Sequence, residues 1–126
     1  MAVREEVTKF IAAYGAALSY GPSAAIEFYA EPCLTVAMGV ARTHPTRKDM
    51  EIVLGDVDAR DRTRGFTRAD LVTVEVQPLG SSGALATVHW AFKGACDELL
   101  WTATVSYNLY RCDGAWKILV QTMHDS

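Results

Sequence analysis

Two tyrosines and a histidine are the residues of this 126-residue chain best suited to moving a proton or holding a developing negative charge. His124 closes an alternating run, Trp116–His124, that follows another, Trp101–Tyr110, across Cys112-Asp113-Gly114-Ala115. Asp-Gly between alternating runs signals a β-hairpin. A four-residue loop pairs Leu109 with Ile118, Tyr107 with Val120, Val105 with Thr122 and Ala103 with His124. Side chains alternate across a strand, so Tyr107, Thr122 and His124 are expected on one greasy face. An imidazole with an ordinary pKa of ~6.5 suits proton transfer at neutral pH. Tyrosine hydroxyls suit stabilisation of a forming oxyanion, and Tyr14 on the opening helix is the second candidate donor. The plainer readings are core tyrosines with paired hydroxyls and a solvated histidine at a strand end.

The elements that must hold these groups follow from periodicity. Val3, Val7, Phe10, Ile11, Tyr14 and Leu18 recur at helical spacing, which predicts a helix over 3–19 stopped at Gly21-Pro22. A short second helix carries Ile26, Phe28 and Tyr29 and ends at Glu31-Pro32, before a strand over Cys33–Met38. Thr46 and Asp49 form a capping box for a third helix with Met50, Val53, Leu54 and Val57 inside. From Phe66 the period becomes 2, giving strands over Leu71–Leu79 and Ala84–Lys93 ahead of the last hairpin. The turn at Gly94–Asp97 sets Trp90 opposite Trp101 and Ala84 opposite Tyr107, choosing the same apolar face. A bulge is expected near Gln77-Pro78 to bring Val72, Val74 and Val76 into line. His44-Pro45 is expected in a loop and His89 on the outer face. Helices first and strands later predict an α+β fold, a single domain over 1–126.

Composition narrows the function. Half the residues are hydrophobic and 21% are charged, as in a soluble globule. The net charge of −3 gives no footprint for nucleic acid. The densest cationic run, Arg60-Asp61-Arg62-Thr63-Arg64, is interrupted by an acid and reads as a solvated helix end. Three cysteines without Cys-x-x-Cys argue against a disulfide framework or a zinc site, and His44, His89 and His124 lack metal-helix spacing. No run is long enough for a membrane span and the opening residues are not a signal peptide, so a cytoplasmic location is expected. Leu85, Leu100, Leu119 and Met123 alternate with Thr87, Thr104, Ser106 and Gln121 on the predicted outer face. That mixture suits a sheet-to-sheet contact, and a homodimer through this face is expected.

Three stretches carry a resemblance. Phe10-Ile11-Ala12-Ala13-Tyr14-Gly15-Ala16-Ala17-Leu18 before Gly21, Phe28-Tyr29-Ala30-Glu31-Pro32, and Tyr107 through Ile118 resemble the NTF2-like superfamily, closest to its SnoaL-like branch. The resemblance implies a cone, with three N-terminal helices packed in a strongly curved, mostly antiparallel sheet around a cavity. It implies a small hydrophobic molecule as partner, no cofactor and no metal. Trp101, Thr122, Phe28, Val36 and Val120 would line the cavity, and His124, Tyr14 and Tyr107 would be catalytic in a cofactor-independent isomerase, dehydratase or cyclase. Against the ketosteroid isomerase pattern, Tyr14 matches the helix-one donor within Tyr-x-Ala-Ala-Leu and Tyr107 falls on the buried aspartate. The base position falls on Ala37 or Met38, neither of which takes a proton. The competing class is a non-catalytic dimerisation or assembly module.

Overall fold

The computed structural model describes residues 2–125. Helix α1 (Val3–Tyr20) presents Val7, Ile11 and Tyr14 to the core, as the 3.6-residue spacing requires. A single turn, α2 (Pro22–Ala25), and a 3-10 turn (Ile26–Phe28) lead into β1 (Tyr29–Ala37). β2 (Val40–His44) returns beside it, and α3 (Arg47–Thr63) follows. The meander is β3 (Arg68–Pro78), β4 (Gly83–Lys93), β5 (Leu99–Cys112) and β6 (Ala115–Met123). The strands form one curved, unclosed sheet in the order β2-β1-β6-β5-β4-β3, antiparallel except where β1 runs parallel to β6. This is the expected α+β cone, with helices against the concave face.

Local chemistry fixes the helices. The Thr46 hydroxyl accepts from the Asp49 amide at 3.2 Å, and Asp49 accepts from the Thr46 amide at 3.1 Å, completing the capping box of α3. Gly15 lets α1 lie against the sheet: a Cβ there would sit 2.8 Å from Cζ3 of Trp90. Ser19 accepts from the Ala69 amide at 2.9 Å and donates to the Gly15 carbonyl at 2.9 Å. Arg62 reaches the Ser19 carbonyl at 2.7 Å and Asp58 at 3.1 Å, tying α3 to α1.

Register is where the sequence reading needs correction. β5 and β6 pair Arg111 with Trp116 and Leu109 with Ile118 as expected, but Leu119 is then bulged out. Beyond it Asn108 pairs with Val120, Tyr107 with Gln121, Ser106 with Thr122 and Val105 with Met123. One extra residue turns every later side chain to the other face. Between β4 and β5 the register differs by two residues, with Trp90 opposite Ala103 and Phe92 opposite Trp101, so the faces are preserved. The β3 bulge falls between Leu71 and Thr73 rather than at Gln77-Pro78, and leaves Val74 and Val76 opposite Val88 and Ala86. β1 starts at Tyr29, four residues early, and its pairing with β6 is interrupted between Tyr29 and Leu34, where Pro32 has no N–H to give. His44 ends β2 instead of lying in a loop; it is buried and its Nε2 meets Thr35 Oγ1 at 2.9 Å.

Candidate functional site

The concave face encloses a cavity of about 410 Å³ between α1, α3 and strands β4–β6. Tyr14, Trp90, Tyr107 and Gln121 line its deep end, Met50, Leu54 and Val105 its walls, and Trp101, Arg64, Asp58 and Asp61 its mouth. Ala37 and Met38, at the end of β1, also border it.

Polar groups in the deep end form two sets. Tyr29 donates to Gln121 Oε1, and its hydroxyl oxygen meets the Tyr14 hydroxyl. Tyr29 has one proton and spends it on Gln121, so Tyr14 donates to Tyr29. Separately, the Trp90 indole N–H donates to the Tyr107 hydroxyl at 3.0 Å. No acceptor for the Tyr107 proton lies among the described residues, so Tyr107 keeps a donor beside the cavity. Gln121 is half-buried and engaged through its carbonyl oxygen, which leaves its NH₂ group as a second donor. The Tyr14 ring meets those of Tyr107, Tyr29 and Trp90 edge-on, at centroid distances of 5.8, 5.7 and 6.2 Å.

Burial pushes all three tyrosines well above their ordinary value, and neighbouring phenols add to this. Each is therefore a neutral hydrogen-bond donor at physiological pH. A ligand oxygen that accepts hydrogen bonds fits this lining.

The expected site residues divide between the two faces of the sheet. Tyr14 and Tyr107 come together inside, with Trp101 at the mouth. His124 does not join them. It borders the mouth, but its imidazole Nε2 meets Ser106 Oγ at 2.7 Å on the outer face, and Ser106 in turn meets Thr87 at 3.2 Å. Thr122 and Val120 follow it outward because the Leu119 bulge reverses them, and Val36, paired with Thr122, lies on that face too. Phe28 packs against Phe10 and Tyr14, at 5.3 and 5.5 Å between centroids, behind the cavity wall. Gln121 escaped the sequence reading because the regular register sends it outward. Tyr29 was visible only as a helix anchor. Its place at the head of β1 could have been read by allowing Pro32 to sit at a bulge within the strand, where the pairing with β6 is interrupted.

Two further features bear on cofactors and membranes. Among the described residues no group of three or more acidic, histidine or cysteine side chains is placed to hold a metal ion. Among them, too, no helix is long and apolar enough to cross a membrane.

A bent, open sheet wrapped around N-terminal helices with a polar-floored cavity defines an NTF2-like α+β domain. The chain belongs to the family described as NTF2-like protein (DUF6841), whose model matches residues 4–126. No curated protein matches it. Solved structures share the fold at low identity. An NTF2-like protein of unknown function from Shewanella oneidensis is 14% identical, with a TM-score of 0.76 over 97% of this chain and 98% of that one. An NTF2-like protein with a cystatin-like fold from Novosphingobium aromaticivorans is 19% identical, TM-score 0.74, over 95% and 79%. The yeast Ubp3-associated protein Bre5 is 16% identical, TM-score 0.78, over 98% and 96%. At these identities the likeness is one of fold alone.

Proposed function

We propose that this protein binds a small, largely apolar molecule carrying a hydrogen-bond acceptor oxygen in its cone cavity. The observation that carries the reading is the Tyr107 hydroxyl: it accepts from Trp90 and keeps its own proton beside a cavity of about 410 Å³. A cavity of this size fits a ligand of two or three fused rings. The Gln121 NH₂ group offers a second donor to the same oxygen or a neighbouring one. The resemblance to the SnoaL-like branch supports the same ligand class.

Turnover would need a base among these donors. By the resemblance, the base position of ketosteroid isomerases falls on Ala37 or Met38, neither of which takes a proton, and the His124 imidazole is bonded to Ser106 on the outer face. This supports binding over isomerase, dehydratase or cyclase chemistry. Titration calorimetry with 2-acetonaphthone, a flat ketone, tests the reading. Binding by the wild type, weakened about tenfold in Tyr107→Phe, is the expected result. Equal affinity in the two proteins would remove Tyr107 from the site.

A second reading, an assembly module that pairs through the outer face, is favoured by one observation. Leu34, Val36 and Val120 form a half-buried apolar group there beside the Thr87–Ser106–His124 ladder. A homodimer through this face is compatible with an occupied cavity.

A further inference from the structure

The geometry points to a ligand with an anionic head, a carboxylate held by Arg64 at the mouth of the cavity. This rests on the cavity-binding reading and adds the charge of the ligand to it. Three arginines lie within five residues at the end of α3, and their environments differ. Arg62 is in an ion pair with Asp58 at 3.1 Å, and Arg60 is within 3.4 Å of Asp61. The Arg64 guanidinium lies over the Trp101 ring, 4.0 Å from its centroid, and no carboxylate among the described residues pairs with it. Trp101 is itself stacked on Phe92, at 5.2 Å and 22° between planes, so a second ring holds the indole that carries Arg64.

This arrangement holds a cation at the rim without neutralising it. Stacking on an aromatic face orients a guanidinium and leaves its in-plane N–H groups free for a planar anion. Arg64 also caps α3, with φ −91° and ψ 4°, so the helix end fixes its backbone. Between this rim and the Tyr107 and Gln121 donors the lining is mostly apolar. The complementary molecule is a flat or elongated apolar body with an acceptor oxygen at one end and a carboxylate at the other. Asp58, Asp61 and Asp125 also border the mouth, the first two beside Arg62 and Arg60, so a cationic ligand is the rival to be tested.

Three probes separate the outcomes: 2-acetonaphthone, its 6-carboxylate and its 6-aminomethyl derivative, each titrated calorimetrically into the wild type, Arg64→Lys and Arg64→Gln. The carboxylate should bind the wild type about tenfold more tightly than the neutral ketone, with an advantage that shrinks as salt is raised. Arg64→Gln should abolish that advantage, so that within this variant the carboxylate and the neutral ketone bind alike. Arg64→Lys should keep part of it. Equal binding of the acid and the ketone, or tightest binding of the amine, would overturn the carboxylate assignment while the cavity reading stands. Failure of all three probes to bind would overturn the cavity reading and this inference with it.

Discussion

The hydroxyl of Tyr107 has two jobs: it satisfies a buried indole N–H and it faces the cavity with a spare proton. Tyr107→Phe should therefore destabilise the fold by about 1–3 kcal/mol, since Trp90 is left with an unpaired buried donor. Urea denaturation checks this, with an unchanged m value showing that the native state stays intact. The buried tyrosines also set an alkaline limit. Burial raises Tyr14, Tyr29 and Tyr107 well above the ordinary value of 10.0, so they stay protonated while the unfolded chain ionises. Their contribution is fully present below pH ~10 and is lost as pH rises beyond it, because the folded state then binds more protons than the unfolded one. Denaturation midpoints should fall above that pH, and replacing Tyr14, Tyr29 and Tyr107 together by phenylalanine should flatten the fall. At this scale the sequence was half legible. Tyr14 and Tyr107 announced themselves by helical and strand spacing, whereas Tyr29 and Gln121 depend on irregular strand pairings.

At the level of elements, the bulge at Leu119 decides which groups enter the cavity. Gln121→Leu removes the acceptor of the buried Tyr29 hydroxyl and should destabilise the protein by ~1–2 kcal/mol. Thr122→Val, one residue on and on the outer face, should stay within ~0.5 kcal/mol. Reversed magnitudes in thermal melts would restore the regular register. The contact of α1 with the sheet is equally local. Gly15→Ala gains helix propensity of ~1 kcal/mol, but its Cβ would meet a Trp90 ring that is 1% exposed and fixed by Tyr107. A net loss of about 1–2 kcal/mol is expected, together with a perturbed Trp90 environment in fluorescence. Helices, capping box and turns were legible because each depends on residues close in sequence. Bulges were not, because an inserted residue such as Leu119 or Val72 has the same β-forming character as its neighbours.

For the whole molecule, periodicity predicted the α+β order of elements and the resemblance implied the cone, and one register slip redistributed the expected site across its two faces. Val36 and Val120, expected around the ligand, lie instead where a second sheet would pack. If the protein dimerises there, Val36→Lys with Val120→Lys should convert it to monomer in sedimentation equilibrium. The same variant should bind 2-acetonaphthone unchanged, since the substitutions lie across the sheet from the cavity. Loss of ligand binding together with the dimer would mean that the two faces are coupled.

The three tryptophans give the most direct test of cavity binding, because their indole N–H groups report three places at once. Trp90 donates to Tyr107 at the deep end, Trp101 stands at the mouth, and Trp116 donates to Glu6 at 3.0 Å, away from the cavity. In a nitrogen–proton correlation spectrum titrated with 2-acetonaphthone, the Trp90 and Trp101 indole signals should move to saturation while Trp116 stays in place. Immobile Trp90 and Trp101 signals, or equal drift of all three, would contradict a ligand-binding cavity.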